Sequence, residues 1–193
     1  IVSCNFKINK VLALELGLDV LFEPGDWRSA VDPDRLETIL RDDTSANIKA
    51  ICIVHNETST AVASNIGSIR QAINAANHPA LLLVDAVSSL ASIPYHHKEW
   101  EVDVTVSGSQ KGLMLPPGLG LNVVSDKARE AAKSASLPKS YWNWEAVIDS
   151  NRDGSFPYTP PTNLLYGLAE AQKILSDEGM GEVYARHLRY GEA

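Results

Sequence analysis

A single lysine stands between a small, polar turn and an apolar run in the stretch VDVTVSGSQKGLMLPPG, residues 102–118. The nearest charged residues along the chain are Asp103 and Asp126, so Lys111 does not belong to a charged helix face. Apolar surroundings favour a neutral, nucleophilic amine, and glycine and serine neighbours let a ligand approach the backbone. Lys111 could therefore form a Schiff base with an aldehyde. Alternatively, its stem lies along apolar surface while its ammonium group stays in water.

Asp85 is a second candidate, because it directly follows the apolar residues LLLV in the run ALLLVDAV, residues 80–87. A carboxylate in such a place is unfavourable unless it is paired. The ring nitrogen of pyridoxal 5'-phosphate (PLP) is a suitable partner, because the contact keeps that nitrogen protonated and makes the ring an electron sink. Asp85 and Lys111 together predict a PLP site. Alone, Asp85 could equally cap a helix or accept a phosphoryl group.

Two continuous apolar runs indicate the framework that positions these residues, AICIVHN at 50–56 and ALLLVDAV at 80–87. Neither run alternates as a strand with one solvated face would, so we expect strands buried on both faces. Apolar residues between the runs repeat at helical spacing, namely Ile66, Ile69, Ile73 and Ala76. Strand, helix and strand in this order predict an α/β fold, a mostly parallel sheet with crossover helices.

Two further strands are predicted over 102–109 and 118–125. The loop between them holds no crossover helix, so we expect the second strand to run antiparallel. The remaining patterns predict a helix over 7–16, a short strand over 18–24, a helix that begins at Asp32 and Pro33, a long helix that ends at Gly179 and a last helix that starts near Gly181.

Polar segments follow three of the predicted strands, HNETST at 55–60, DAVSS at 85–89 and SGSQK at 107–111. Ligands of open α/β sheets bind outside the carboxyl ends of the strands, where such segments converge. If the three strands are neighbours, one crevice collects the following side chains: His55, Thr58, Asp85, Gln110 and Lys111. We expect His55 to order the end of its strand rather than to take part in catalysis.

Composition limits the classes of partner. The 193 residues are 45% hydrophobic and 21% charged, as in an ordinary soluble domain, and the formal charge of −7 argues against nucleic acid and anionic membrane surfaces. The sequence contains neither a leader peptide nor an apolar run long enough to span a bilayer, so we expect a cytoplasmic protein. Cys4 and Cys52 are then free thiols.

The sequence predicts no metal site. His96 and His97 are adjacent, and in a strand they would face opposite sides of the sheet. We interpret them as a solvated pair in a loop.

The segments LLLVDAVSSL and VSGSQKGLMLPPG resemble the fold-type I PLP enzymes of aminotransferase class V. HNETSTAV and FPYTPPTNLLYGL narrow the resemblance to the group of alanine–glyoxylate and serine–glyoxylate aminotransferases. KEWEVDVTVSGSQKGLMLPPGL and SYWNWE are most similar to the serine–glyoxylate enzymes. The resemblance covers essentially the whole chain, and four matching blocks in the same order are a specific signal.

The resemblance implies a role for each matched residue of the cofactor site. Lys111 would hold PLP covalently and move the proton between the substrate's α-carbon and the cofactor, while Asp85 would bind the ring nitrogen. Val87 would pack against one face of the ring, Thr58 would bond the phenolic oxygen, and Gln110 would hold the phosphate. Without the family, Val87 is equally well an ordinary core residue, and Thr58 and Gln110 are turn residues.

Thr159 aligns with a family residue that reaches the phosphate bound to the partner subunit. The resemblance therefore implies a homodimer with shared active sites. Related enzymes also use a neighbouring tyrosine, but Phe156 stands in that place here, and Tyr158 could substitute for it.

The implied reaction is PLP-dependent transfer of an amino group from L-serine to glyoxylate, which gives hydroxypyruvate and glycine. The substrates are thus an amino acid and a 2-oxo acid. Alanine–glyoxylate or ureidoglycine–glyoxylate transfer is the runner-up reaction. A phospho-receiver signalling domain also ends buried strands with aspartate and lysine, and a non-catalytic remnant would keep the fold alone.

Family members are longer than this chain. The resemblance therefore implies an internal fragment, with residues 1–178 as the C-terminal part of the large PLP-binding domain and residues 179–193 as the start of a small C-terminal domain. The phosphate-binding glycine turn and the stacking aromatic ring would precede Ile1, and the arginine that binds the substrate carboxylate would follow Ala193. We expect the 193 residues to be inactive by themselves.

Overall fold

The computed structural model describes the backbone of residues 2–4, residue 11 and residues 13–193. The strands are β1 (Val2–Cys4), β2 (Leu21–Glu23), β3 (Ala50–Val54), β4 (Asn56–Glu57), β5 (Val62–Ala63), β6 (Leu81–Asp85), β7 (Val104–Gly108) and β8 (Gly120–Val124). The helices are α1 (Pro33–Asp42), α2 (Ile66–Ala75), α3 (Asp126–Ser134), α4 (Trp144–Arg152), α5 (Thr162–Glu178) and α6 (Met180–Glu192). Residue 11 and residues 13–15 are also helical, whereas residues 7–10 and 12 of that predicted helix lie outside the described residues.

Six strands form one sheet in the order β2-β1-β3-β6-β7-β8, and β4 and β5 form a separate hairpin. Neighbouring strands of the large sheet are parallel except β7 and β8, which are antiparallel. Both the mostly parallel sheet and the antiparallel strand confirm the predictions from the sequence. The hairpin was not predicted, because two-residue strands leave no periodic pattern.

The main core lies on one face of the sheet. Alternate residues of β3 and β6 are buried there, and α1 and α2 cover them with Leu36, Leu40, Ile66, Ile69 and Ile73. α1 begins as predicted, because the Asp32 carboxylate accepts hydrogen bonds from the backbone N–H groups of Asp34 and Arg35. The opposite face is half-buried, so the expectation of strands buried on both faces is wrong within the described chain.

A second apolar cluster anchors the loops that follow β6 and β7. It joins Ala91, Leu113 and Leu115 of these loops to Ala171 and Leu175 of α5 and Val183 of α6. α5 packs closely on the loop after β7: a Cβ at Gly167 would lie 3.2 Å from Leu115 Cδ2. The cluster therefore fixes the backbone that follows Lys111.

A buried ion pair closes the opposite edge of the sheet. Asp103 Oδ2 accepts hydrogen bonds from Arg70 Nη2 at 2.9 Å and from the Leu82 N–H at 2.8 Å, and Oδ1 accepts one from Ser125 Oγ at 3.0 Å. These contacts join α2, β6 and the segment that starts α3 around the first residues of β7. They are expected to fix the register at the amino ends, because a buried charge is tolerated only when it is fully paired.

Candidate active site

Three polar segments meet at one edge of the sheet. β3, β6 and β7 are neighbours, and Asp85 pairs with Val54 on one side and with Val106 on the other. All three strands are parallel, so their carboxyl ends and the segments 55–60, 85–89 and 107–111 lie at the same edge. The structure therefore brings together the segments that the sequence assigns to one crevice.

Asp85 is the last residue of β6, and its carboxylate is half-buried. Oδ1 accepts a hydrogen bond from the Val87 N–H at 2.9 Å, and within the described residues the carboxylate has no other hydrogen bond and no ion pair. Burial raises the pKa of Asp85, the Val87 bond opposes that shift, and the charge of Glu57 adds to it. A cationic ligand at the free oxygen would supply the missing counter-charge. The protonated ring nitrogen of PLP fits this requirement.

Two polar links tie the segment after β3 to the turn after Asp85. His55 donates its backbone N–H to Asp85 O at 2.9 Å, and its Nδ1 lies 2.9 Å from Ser89 Oγ. The next residue, Asn56, bonds to Ser88. Ser88 Oγ donates to Asn56 O at 2.7 Å and accepts from Asn56 Nδ2 at 3.0 Å. The turn that carries Thr58 is thereby held beside the turn that follows Asp85.

Thr58 lies in the exposed turn between β4 and β5. The preceding residue, Glu57, is buried, and its Oε1 accepts from Ser59 N at 2.9 Å and Ser59 Oγ at 2.6 Å. Glu57 Oε2 is buried without a hydrogen-bond partner among the described residues. Sequence reasoning missed Glu57, although a charged residue next to a strand end could have drawn attention to it.

Lys111 lies in the turn after β7, and its side chain is exposed. The expected apolar surroundings are therefore wrong for this chain, because Leu113 and Leu115 of the apolar run enter the second core cluster instead. Gly112 places the lysine backbone against the turn after Asp85. A Cβ at that position would overlap Leu90 O and would lie 2.7 Å from Ser92 Oγ, so only glycine permits this approach.

Val87 follows Asp85 by two residues, and Gln110 directly precedes Lys111. Gln110 is exposed and lies over Gly108, where a Cβ would come within 2.8 Å of Gln110 Oε1. Val87 is half-buried in the turn after β6. Both residues thus belong to the same edge of the sheet as Asp85 and Lys111.

Thr159 lies in the exposed loop between α4 and α5. Within the described residues it forms no hydrogen bond to the other candidates. The neighbouring Tyr158 packs on Tyr141, with ring centroids 4.9 Å apart, and Phe156 is exposed. No contact among the described residues therefore links Thr159 to the other site residues.

A cluster of rings and hydroxyls lies behind the site. His55 packs against Tyr95 and Trp100 with ring centroids 5.2 and 5.7 Å apart. Burial lowers the pKa of His55 to about 4 and raises the pKa of Tyr95 to about 12. His97 is half-buried, with Nδ1 2.7 Å from Thr105 Oγ1, so the prediction of a solvated His96–His97 pair is wrong for His97.

Neither a metal centre nor a membrane span is found in the part of the chain that the structure describes. No group of three or more His, Cys, Asp or Glu side chains there could hold a metal ion. None of the helices described is both long and apolar enough to cross a bilayer.

Known proteins are similar to this chain in sequence and in fold. A family model described as "Aminotransferase class-V" matches residues 2–192. The chain is 51% identical to a serine–glyoxylate aminotransferase of Methylorubrum extorquens over 94% of its residues. It is 45% identical to an L-aspartate–glyoxylate aminotransferase of Paracoccus denitrificans over 90% of its residues.

A solved structure of alanine–glyoxylate aminotransferase from Nostoc sp. superimposes with a TM-score of 0.86 at 27% identity and covers 99% of this chain and 52% of that one. The matched regions are 46% and 44% of the Methylorubrum and Paracoccus proteins. The chain thus spans about half the length of the curated relatives it matches.

Proposed function

Because the chain belongs to the class-V aminotransferase family, we propose that the protein transfers the amino group of L-serine to glyoxylate, with PLP as its cofactor. The products are hydroxypyruvate and glycine. The observation that carries the proposal is the 51% identity to the Methylorubrum serine–glyoxylate aminotransferase. The half-buried Asp85 at the carboxyl edge, with one oxygen free, agrees with it.

PLP, when bound, supplies an electron-withdrawing ring that acidifies the α-carbon of the attached amino acid. We assign Asp85 the role of holding the ring nitrogen in its protonated form. Its fixed orientation supports this assignment, since the Val87 N–H occupies Oδ1 and leaves the other oxygen to the ligand. An ionised carboxylate in a half-buried place stabilises a neighbouring positive charge more than one in water would.

Lys111 is assigned two tasks, to hold the cofactor covalently and then to move a proton. Its exposed Nζ, on a backbone held by Gly112 and the second core cluster, can leave and return without disturbing the fold. Once displaced by the substrate amine, Nζ would accept the proton of the α-carbon as a general base and would donate it to the cofactor as a general acid.

Three further residues are assigned to binding of the cofactor. Thr58 contacts the phenolic oxygen, Val87 packs on one face of the ring, and Gln110 contacts the phosphate. The links from His55 and Asn56 to Ser89 and Ser88 support the first assignment, because they hold the Thr58 turn beside Asp85.

Thr159 is assigned to the phosphate of a partner subunit in a homodimer. Its exposure supports a role outside its own chain's site. The exposed aromatic side chains in and around the same loop also favour an interface, and they comprise Tyr141, Trp142, Phe156, Tyr158 and Tyr166.

Residues 1–178 are proposed to belong to the large cofactor-binding domain and residues 179–193 to the start of a second domain. Gly179, at φ 84°, separates α5 from α6 and supports a boundary at this point. We propose the cytoplasm as the site of action, in keeping with free thiols such as Cys52.

L-Aspartate is the second candidate amino donor. The 45% identity to the Paracoccus L-aspartate–glyoxylate aminotransferase favours L-aspartate over L-alanine and ureidoglycine. A site for aspartate needs a cationic group for the second carboxylate, whereas a site for serine needs a hydroxyl partner.

The test is a comparison of amino donors with the protein in its full natural length. Purified protein with PLP is given glyoxylate and either L-serine, L-aspartate or L-alanine, and glycine formation is measured. We expect the highest kcat/KM with L-serine. A higher kcat/KM with L-aspartate would make L-aspartate the preferred amino donor in place of L-serine. If glycine forms with none of the donors, the proposed aminotransferase activity is contradicted.

A further inference from the structure

We propose that His55 and Ser89 form a positioning pair that orients Asp85 and thereby sets how tightly the cofactor is held. Neither residue is proposed to touch the substrate. The inference rests on the proposed function, because it concerns the residue assigned to the PLP ring nitrogen. His55 and Ser89 are not assigned to contact the cofactor, and their proposed role is to position a residue that is.

The pair is buried and joins two strand ends. His55 is 4% exposed and Ser89 is 1% exposed, and the Nδ1···Oγ distance is 2.9 Å. Ser89 Oγ has no other hydrogen-bond partner among the described residues. A buried hydroxyl that loses its sole partner carries the full desolvation penalty, so each residue of the pair depends on the other.

The imidazole ring cannot turn away from Ser89 easily. Tyr95 and Trp100 pack against it from two directions and also contact each other edge-to-face, at 5.4 Å. The Tyr95 hydroxyl is itself fixed by Thr105 Oγ1 at 2.6 Å. The position of Nδ1 is therefore defined by packing and not by the Ser89 contact alone.

The short turn after β6 carries this constraint to Asp85. Ser89 donates its backbone N–H to Ala86 O, and the Ala86 N–H is bonded to Val106 O on β7. The Val87 N–H that orients the Asp85 carboxylate lies inside this turn. Fixing Ser89 thus fixes the direction of that N–H, while the His55 N–H holds Asp85 O from the other side.

A neutral ring suits this role. Burial lowers the pKa of His55 to about 4, so the imidazole carries no charge near neutral pH. An imidazolium at this place would carry the desolvation cost that lowers the pKa of His55. A neutral imidazole bonds Ser89 without adding a second cation.

Two substitutions separate positioning from folding. His55→Phe keeps an aromatic ring against Tyr95 and Trp100 but removes Nδ1, and Ser89→Ala removes only the hydroxyl. His78→Phe is the matched control for the first, because His78 is also a buried imidazole, 8% exposed, but its partners are Asp43 Oδ2 and the Ala80 N–H. Ser125→Ala is the control for the second, since Ser125 bonds Asp103 at the opposite edge.

Three quantities are measured on the full-length protein: the PLP dissociation constant of the apoprotein, the ¹⁵N chemical shift of ring-labelled PLP, and the free energy of unfolding. We expect H55F and S89A each to weaken PLP binding about tenfold, since one hydrogen bond is lost. The ¹⁵N signal should move towards the unprotonated position, and the double variant should bind PLP no more weakly than H55F. H78F and S125A should lose stability but keep both PLP readouts.

Unchanged PLP affinity and ¹⁵N shift in H55F and S89A, with stability lowered as in the controls, would overturn the positioning pair and leave the proposed function standing. Failure of the unsubstituted protein to bind PLP would overturn the proposed function, and this inference with it. If H55F does not fold, S89A still tests the pair, because it removes only a hydroxyl group.

Discussion

Asp85 is a residue whose ionisation opposes folding. Burial raises its pKa, so the folded apoprotein holds the proton more tightly than the unfolded chain. The stability that the protonated group contributes is present at acidic pH and is lost as the pH rises through the folded-state pKa. A carboxylate kept under these conditions is typical of a group that awaits a cationic ligand.

The first prediction concerns Asp85→Asn. The amide keeps an acceptor for the Val87 N–H but cannot ionise, so we expect the apoprotein to gain stability near neutral pH and to change little at acidic pH. Amino transfer should fall about 100-fold or more, since the ring nitrogen loses its counter-charge. Urea unfolding at both pH values and steady-state kinetics measure these effects.

Asp149→Asn is the control for this substitution, because Asp149 is an exposed partner of Arg152. It should leave both stability and activity nearly unchanged. An Asp85→Asn apoprotein that is less stable than the parent near neutral pH would show that the carboxylate has a partner that stabilises the apoprotein.

Sequence reasoning at this scale selected Asp85 and Lys111 as candidates, because each falls where an apolar strand ends. It did not find the His55–Ser89 pair, since a contact between residues far apart in the sequence depends on strand order and turn geometry. It also expected an apolar environment for Lys111. The neighbouring leucines are in fact buried in a different cluster, which the linear pattern does not reveal.

At the scale of elements, Gly112 couples the turn that follows Asp85 to the loop that carries Lys111. It lies against Leu90 O, while Leu113 and Leu115 bury themselves beneath α5 and α6. The loop is thus defined by close backbone contact on one side and by apolar packing on the other. Both constraints act on the position of the Lys111 backbone.

The second prediction is that Gly112→Ala displaces this loop. The added methyl group would overlap Leu90 O, so we expect a loss of about 2 kcal/mol or more in the free energy of unfolding, together with weaker PLP binding. Gly120→Ala is the matched control, because no atom of the described residues lies within 4 Å of its added Cβ, and it should change stability by less than about 1 kcal/mol. Equal effects of the two substitutions would refute the proposed coupling.

The elements themselves were largely predictable. The apolar runs at 50–56 and 80–87 contain β3 and β6, the run at 102–109 contains β7, and the short loop before 118–125 gives the antiparallel β8. The β4–β5 hairpin escaped prediction, because its strands are too short for a period. Burial on both sheet faces was expected because the two apolar runs do not alternate, but in the described chain one face of β3 and β6 is only half-buried.

At the scale of the whole molecule, the proposal is that two copies of the chain form each site. Thr159 is exposed and lies in a loop with exposed aromatic residues, whereas the other candidates share one edge of the sheet. A symmetric dimer in which each loop reaches the partner's site would account for both observations. The formal charge of −7 does not prevent such pairing, because residues 154–166, which include this loop, carry no charged side chain.

The third prediction uses this symmetry. Lys111→Ala removes the proposed covalent attachment, and Thr159→Asp places a carboxylate against the partner's phosphate, so each variant alone should be inactive. A hybrid dimer of the two should regain about half the turnover of the parent dimer, because one of its two sites has both residues intact. Co-expression with two affinity tags isolates the hybrid. An inactive hybrid, or an active T159D homodimer, would contradict a shared site.

The central claim is that Lys111 holds, through a covalent bond, the cofactor whose ring nitrogen faces Asp85. Its most direct measurement is borohydride reduction of the full-length protein with PLP, followed by peptide mass analysis. We predict that the phosphopyridoxyl mass is found on the peptide that contains Lys111, and that Lys111→Ala abolishes it. Stoichiometric modification of another lysine, such as Lys127 or Lys139, or no modification at all, would contradict the account.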